Sequence, residues 1–555
     1  MTMNDLSAKL IDQNVEHPEQ LAQQAFTLQQ AGARLLCMTA SDERDRGAGQ
    51  GFCLHTFWLK DGQVAYLHCA LGSDDSNLTY PSLTPHVTAA YWYEREIYDL
   101  FGIEAVGHPD PSRLVVHDDW PAEVFPMRKD YQGPLPERMG ATQCEHFEKA
   151  EHTGPVKHAE HAGPANYADQ PDGLVRIPVG PVHAGIIEPG HFHFTAVGEE
   201  VFALAPQFSY VHRGLEKAAE GRTPAATLPL AERVCGVCTV AHSWSFCSAV
   251  EQLAGAVVPE RAELIRVILG ELERLHNHVG DIGNICAGAG LSVANNHGLY
   301  LRERLMRLNG ILFGHRFLRG CIVPGGVRAD LDTGMLDRTI AELEYVVQEA
   351  ADLAAECVEH DIFRNRMTGT GVLERDLALQ LGVTGVAARA SGIARDVRAD
   401  MPYGAYAWNA SGASGAPGEP GESGAPHAHL ERLPFTIQTE QTGDVKARFL
   451  MRAREIKVSL AIIRTAFDQL RPGAIQEPVG AISRAGIALG ATESARGENI
   501  HLLIVDEQGI IRRWFVRSAS YTNWPAVALA VPGNIVPDFP IINKSFELCY
   551  ACLDR

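Results

Sequence analysis

Two cysteine pairs constrain this chain more than any other feature: Cys235-Gly236-Val237-Cys238 near the middle and Cys549-Tyr550-Ala551-Cys552 at the end. A CxxC turn lets two thiolates converge on one ion, so two such turns offer four soft sulfur ligands. That set suits Ni, Zn, Cu(I) or an iron–sulfur centre and does not suit Mg or Ca. In zinc ribbons the pairs stand a short loop apart, whereas here most of the chain separates them. A fold that uses both must bring its last segment back against a residue pair near the middle. Spacing alone leaves structural zinc, redox chemistry and a catalytic metal open, with Gly236 expected to allow the tight turn and Arg233 to favour the thiolate form.

The 555 residues leave room for more than one core, roughly two to four domains. Apolar residues make up 46% and charged residues 21%, an ordinary globular balance. The formal charge of −20 argues against nucleic acid as a partner, since a nucleic-acid binder shows a basic footprint. The opening Met-Thr-Met-Asn-Asp-Leu has no basic region before an apolar run, so no secretory signal is expected. The apolar stretch around Val527 to Ile542 is broken by Pro532, Pro537 and Pro540, so no membrane span is expected either. The 12 cysteines fit a reducing compartment. Cys37, Cys53, Cys69, Cys247, Cys286, Cys321 and Cys357 stand alone among apolar neighbours and read as small buried hydrophobes.

Residues 1–138 read as an α+β domain. Phe52, Leu54, Thr56 and Trp58 alternate towards Asp61-Gly62, and Val64, Tyr66 and His68 alternate away from it, which predicts a hairpin. A helix is predicted from about Val87 to Leu100. Its charged run, Glu94-Arg95-Glu96-Ile97-Tyr98-Asp99-Leu100-Phe101-Gly102-Ile103, reads by default as a solvated face. With His108-Pro109-Asp110, Arg113 and Pro126-Met127-Arg128-Lys129-Asp130, however, the order resembles the signature of the 30-kDa-type subunit of respiratory complex I. That resemblance implies a docking domain without a cofactor.

Residues 139–172, with Cys144, His146, His152, His158 and His161 at irregular spacing, read as a polar linker. From there to residue 555 the pattern is mainly helical. Leu264, Ile265, Ile268, Leu269, Leu272, Leu275 and Val279 recur at helical spacing, as do Leu336, Ile340, Leu343, Val347 and Leu353, and a third helix is predicted from Asp444 to about Leu470. Amphipathic helices of this kind predict a bundle. Residues 407–432, rich in Gly, Ala, Ser and Pro, lack the apolar content to pack and read as a surface insertion. No Walker loop or dinucleotide glycine fingerprint occurs, so nucleotide chemistry has no support.

The run Arg233-Val234-Cys235-Gly236-Val237-Cys238-Thr239, with His242-Ser243, resembles the proximal cysteine motif of [NiFe]-hydrogenase large subunits. Cys549-Tyr550-Ala551-Cys552-Leu553-Asp554-Arg555 resembles their distal motif. Gly180-Pro181-Val182-His183, Glu188-Pro189-Gly190-His191-Phe192, His212-Arg213-Gly214-Leu215-Glu216-Lys217, Glu271-Leu272-Glu273-Arg274 and Glu493-Ser494-Ala495-Arg496-Gly497-Glu498 follow in family order. With the first domain, the resemblance is to group 4, complex-I-related hydrogenases of the formate hydrogenlyase and hydrogenase-4 type. It implies a mainly helical large-subunit domain, similar to the complex I 49-kDa subunit, over 173–555.

The resemblance also implies roles. Cys235 and Cys549 would be terminal ligands of Ni, and Cys238 and Cys552 would bridge Ni to an Fe carrying two cyanides and a carbon monoxide. Glu188 would transfer protons, the Arg496 guanidinium would overhang the open metal position, Asp538 would stand beside it, and His242 would support a sulfur. Two departures are visible: Glu547-Leu548 where the family has Asp-Pro, and Ala495 where it has Pro. No cysteine set for an iron–sulfur relay is expected in this chain. Electrons would arrive through a [4Fe–4S] small subunit resembling the cluster-N2 subunit of complex I, with ferredoxin-like and antiporter-like membrane subunits, a formate dehydrogenase and maturation proteins as further partners. The implied location is cytoplasmic and peripheral on the inner face of the cell membrane, and the implied reaction is 2H⁺ + 2e⁻ ⇌ H2. The rivals are a 49-kDa-like quinone-oxidoreductase subunit, a family that has lost the cysteine pairs, and a zinc-stapled scaffold, which would need neither Glu188 nor Arg496.

Overall fold

The computed structural model describes residues 10–47, 51–72, 78–117, 120–133, 173–183, 187–409 and 432–555. The linker expected at 139–172, with its cysteine and histidines, lies outside the described residues, as do residues 410–431 of the expected insertion.

In the first domain β1 (Leu10–Asn14), β2 (Arg34–Asp42), β3 (Phe52–Lys60) and β4 (Gln63–Ala70) form a sheet of order β1-β4-β3-β2. The first pair is parallel and the others antiparallel. The predicted hairpin turns on Asp61 (φ 49°) and Gly62 (φ 73°), two left-handed residues whose twist matches that of the flanking strands. Helix α1 (Pro18–Gln30) packs on this sheet, and α2 (Tyr91–Phe101) follows a tighter 3-10 turn over Thr88–Ala90 where the sequence predicts regular helix from Val87. No side chain caps either start.

The charged run of α2 is not a solvated face. Glu94, Glu96 and Asp99 are all buried. Glu94 accepts hydrogen bonds from the Leu83 and Thr84 backbone N–H groups and the Ser82 and Thr84 hydroxyls. Asp99 accepts from the backbone N–H groups of Leu114, Val115 and Val116. These carboxylates hold loops that the backbone alone would leave unpaired.

The second domain begins with an antiparallel sheet of β5 (Leu174–Val179), β6 (His191–Val197) and β7 (Glu200–Gln207). Helices α3 (Thr239–Ala254), α4 (Glu260–Gly288), α5 (Ser292–Phe313), α6 (Leu336–Glu359) and α7 (Val445–Gln469) follow. Asp444 caps α7 by accepting from the Ala447 N–H at 2.8 Å, so the predicted boundaries hold to within a residue. Along α4 lie α5 and α7, with α6 behind them, which is the expected bundle.

Two features depart from expectation. First, α4 is buried on nearly all sides instead of along one stripe, and Glu263, Arg266, Glu271, Glu273 and Arg274 are inside with the leucines. Two of the ion pairs among them are Arg266 with Glu251 at 2.6 Å and Glu271 with Arg398 at 2.8 Å. Second, the mainly helical domain contains another antiparallel sheet, β8 (Gly486–Ser494), β9 (Gly497–Val505) and β10 (Ile511–Arg517). Every residue of β9 is buried, because α3 covers the sheet and the first domain lies against it. Across that boundary Arg517 and Arg513 donate to the Leu36 and Ala40 carbonyls of β2, and Arg34 pairs with Glu498.

The chain closes with α8 (Ala519–Ala530), α9 (Phe539–Phe546), packed on α4, and the short α10 (Ala551–Asp554). Among the described residues no helix is long and apolar enough to cross a membrane.

Candidate metal centre

The last segment does return to the middle of the chain. Cys235 and Cys238 lie in the loop entering α3, and Cys549 and Cys552 in the turn into α10. The sulfurs of Cys235, Cys549 and Cys552 all lie within 4.8 Å of one another, with Cys235 Sγ 3.5 Å from Cys549 Sγ. Cys238 packs in the same cluster, and only Cys549 is part-exposed.

Hydrogen bonds from the other three thiols draw Cys235 well below the ordinary thiol range, while the shared proton, together with burial, holds Cys238 well above it. Burial does the same to Cys552. The thiols of Cys238 and Cys552 by themselves resist ionisation, and a cation among the sulfurs would reverse that balance. The donor set therefore fits a soft or borderline metal.

The two cysteine turns are stapled together from outside the pairs. Arg213 donates to the Arg233 and Val234 carbonyls beside the proximal turn and to the Ala551 carbonyl of the distal one, at 2.6, 3.0 and 2.8 Å. Asp554 accepts from the Ser209 and Val211 N–H groups, tying α10 to the strand-to-loop segment after β7. Glu273 receives the N–H groups of Val240 and Ala241 at 2.6 and 3.0 Å, satisfying the first turn of α3 directly after Cys238. Burial pushes its carboxyl up to about 7.

Glu188 reaches the distal turn itself. One carboxylate oxygen accepts from the Tyr550 and Ala551 N–H groups, both at 2.9 Å, between the two distal cysteines. Burial raises its pKa above the ordinary carboxylate value, against the pull of those donors. Gly190 permits the approach: a Cβ there would stand 2.5 Å from the Tyr550 ring.

Arg496 occupies the two-residue turn, Ala495-Arg496, of the β8–β9 hairpin. Its guanidinium donates to Asn277 Oδ1 at 2.6 Å, to Asp281 Oδ1 at 3.3 Å and to the Glu547 carbonyl at 2.9 Å, so its direction is over-determined. Burial alone would raise Asp281, but the facing Arg496 and neighbouring cations pull it below the carboxylate range. Asn277 also donates to the Val237 carbonyl of the proximal turn at 2.8 Å. Glu547, one of the departures from the family pattern, holds a left-handed backbone (φ 53°) just before the distal pair, and burial and Asp281 push its carboxyl up to about 8.

His242 turns Nε2 towards Cys552 Sγ, at 4.0 Å, and burial takes its pKa down to about 3. Asp538, at the end of the 3-10 turn Val536–Asp538, pairs with Arg366 at 3.1 Å, and the carboxylate paired with Arg496 is that of Asp281. Arg233 misses the thiolates, since its half-exposed side chain donates to the Pro229 carbonyl. Gly236 has neither a left-handed φ nor a close neighbour, so the proximal turn does not depend on glycine geometry. Asn277 and Asp281, to which the sequence analysis gave no role, recur with Glu273 of the Glu271–Arg274 run every four residues on α4, and that spacing was their one visible signal.

Formate hydrogenlyase subunit 5 of Escherichia coli (strain K12) is 32% identical to this chain over 96% of the chain and 86% of its own length. The chain belongs to the formate hydrogenlyase and hydrogenase-4 family of complex-I-related nickel hydrogenase large subunits. Hydrogenase-4 component G of the same organism is 33% identical, over 87% of this hydrogenase-family chain and 77% of its own length. Family matches are Respiratory-chain NADH dehydrogenase, 30 Kd subunit, over 15–137, Nickel-dependent hydrogenase over 213–281, and Respiratory-chain NADH dehydrogenase, 49 Kd subunit, over 290–410, 423–483 and 476–555. A chain of the membrane-bound sulfane sulfur reductase, an archaeal respiratory membrane complex, superposes with a TM-score of 0.61 at 27% identity, covering 69% of this chain and 99% of that one.

Proposed function

We propose that this hydrogenase-family chain is the catalytic subunit of a membrane-associated complex that interconverts protons, electrons and H2, 2H⁺ + 2e⁻ ⇌ H2, at a Ni–Fe centre with cyanide and carbonyl ligands held by Cys235, Cys238, Cys549 and Cys552. The observation that carries this reading is the convergence of four distant segments: the two cysteine turns, Glu188 bound to the distal turn, and Arg496 of the β8–β9 hairpin bound to Asn277 of α4, which also holds the proximal turn. When bound, the metals supply the Lewis acidity and electron exchange that cleavage of H2 requires.

The protein's part is proton handling and orientation. Glu188, its pKa raised by burial and one oxygen committed to the Tyr550 and Ala551 N–H groups, has its other oxygen left to exchange protons beside Cys549. Arg496 contributes a fixed positive charge that Asn277, Asp281 and the Glu547 carbonyl prevent from turning away. Electrons come from a [4Fe–4S] small subunit, and ferredoxin-like and antiporter-like subunits attach the assembly to the inner face of the membrane. A formate dehydrogenase is a further candidate partner, and maturation proteins insert the metals.

The test is Ni, Fe and Zn content of the purified complex together with its infrared spectrum in the cyanide and carbonyl region. Nickel with those bands is expected, and Cys549→Ala is expected to remove both. Zinc without the bands would make the site a structural staple. Neither metal would favour a quinone-reducing role, the alternative supported by the 49 Kd match that runs to residue 555.

A further inference from the structure

Behind Cys552 the polar groups run in single file. His242 presents Nε2 to Cys552 Sγ and Nδ1 to His501 Nε2, the latter at 2.9 Å. His501, on the central strand β9, has its other nitrogen 3.1 Å from the indole Nε1 of Trp514 on β10. All three rings are buried, and Phe246 packs edge-on against both His501 and Trp514.

The direction of this chain follows from its last member. An indole N–H donates and never accepts. Its proton occupies the Nδ1 lone pair of His501, so a neutral His501 carries its own proton on Nε2. That N–H donates to His242 Nδ1, which in turn leaves the proton of His242 on Nε2, the nitrogen facing the sulfur. A second proton on either ring would set two N–H groups against each other, at His242 Nδ1 facing His501 Nε2 or at His501 Nδ1 facing the indole, so neither ring escapes the constraint that way. Exchanging the tautomer of His501 would set two lone pairs against each other or leave the buried indole N–H unpaired, at a cost of about 1–3 kcal/mol.

We propose that Trp514 and His501 are positioning residues that lock the tautomer of His242 and so keep an N–H, never a lone pair, directed at the sulfur of Cys552. This rests on the reading of Cys552 as a metal-ligating thiolate. An N–H directed at a thiolate withdraws electron density from it and lowers its basicity, whereas a lone pair in the same position repels it. The relay therefore sets Cys552 apart from Cys549, which has a carboxylate beside its turn instead.

The experiment uses the full chain in its purified complex with ¹⁵N-labelled histidine. It compares His501→Gln, whose amide oxygen can accept from Trp514 and whose amide nitrogen can donate to His242, with His501→Leu, which can do neither. Wild type and His501→Gln are expected to show His242 protonated on Nε2, with the resonance assigned by its loss in His242→Gln, and the same carbonyl band. His501→Leu is expected to place the His242 proton wholly or partly on Nδ1, to move the carbonyl band to lower wavenumber, and to lower metal content or turnover by about 10–100-fold. Adding His501→Leu to His242→Gln should move the band no further. An unchanged His242 tautomer in His501→Leu, or a band shift that persists in full without His242, would overturn the proposal. If His501→Leu does not fold, Trp514→Phe removes the donor and keeps a ring. If the wild-type complex shows no carbonyl bands, the hydrogenase reading fails, and the nitrogen shifts alone still decide the tautomer lock.

Discussion

Glu188 and Arg496 show how much a single side chain's environment decides. A glutamate on the surface would be a weak base exposed to water. Here desolvation raises its pKa while two backbone donors orient it, and Gln would keep the acceptor oxygen and lose the proton. Glu188→Gln is therefore expected to retain nickel and to reduce H2 turnover by about 10²–10⁴-fold, read as metal content against gas evolution. The four cysteines, Glu188, His242 and Arg496 were legible because each stands in a short ordered run. Asn277, Asp281 and His501 were not, and the run His212-Arg213-Gly214 gave no sign that its arginine joins the two cysteine turns. Cys286 and Cys357 read singly as buried hydrophobes and are buried, yet their sulfurs lie 3.5 Å apart across α4 and α6, a proximity that no spacing of 71 residues predicts.

Among the elements, the contact between α3 and β8 matters most, since α3 carries the proximal cysteines at its start and β8 leads into Arg496. Ser245 donates its hydroxyl to the Gly490 carbonyl at 2.7 Å, and a Cβ on Gly490 would stand 1.8 Å from the Ser245 carbonyl oxygen. Backbone meets backbone there, so no rotamer change can relieve the clash. Gly490→Ala is expected to push strand and helix apart, costing at least about 1–3 kcal/mol and lowering metal occupancy in parallel, as measured by denaturant unfolding and metal content. Helix periodicity located α4, α6 and α7 correctly. It mistook α4 for an amphipathic helix because buried Arg–Glu pairs look like a polar face until their partners are known.

For the whole molecule, the two domains share an ionic seam. Glu498 receives both Arg34 from the first domain and Arg517 from β10, and all three are buried or nearly so. Burial alone would raise this carboxyl, but the two guanidinium groups hold it down to about 2. Because the folded value lies below the ordinary 4.5, the contribution is complete above about 4.5 and is lost as the pH falls through about 2. Glu498→Ala leaves two cations facing each other and is expected to cost about 3–5 kcal/mol at neutral pH, while Glu498→Gln should flatten the acid limb of stability followed by urea unfolding. At the far end, Arg555 reaches Glu96 of α2 and Glu216, so the segment carrying the distal cysteines is anchored on the first domain.

Local information in the sequence determined the β3–β4 hairpin, the long helices, the α+β first domain and the two cysteine pairs as the candidate sulfur donors, because periodicity, turn chemistry and donor type act over a few residues. Tertiary structure alone decided that α4 is buried on nearly all sides, that a second sheet supports Arg496, that Asp538 pairs with Arg366 while Asp281 pairs with Arg496, and that His242 is backed by His501 and Trp514. Each of these depends on which surfaces meet across hundreds of residues. The free energy of burying a charge or a ring nitrogen depends on the partner it finds there.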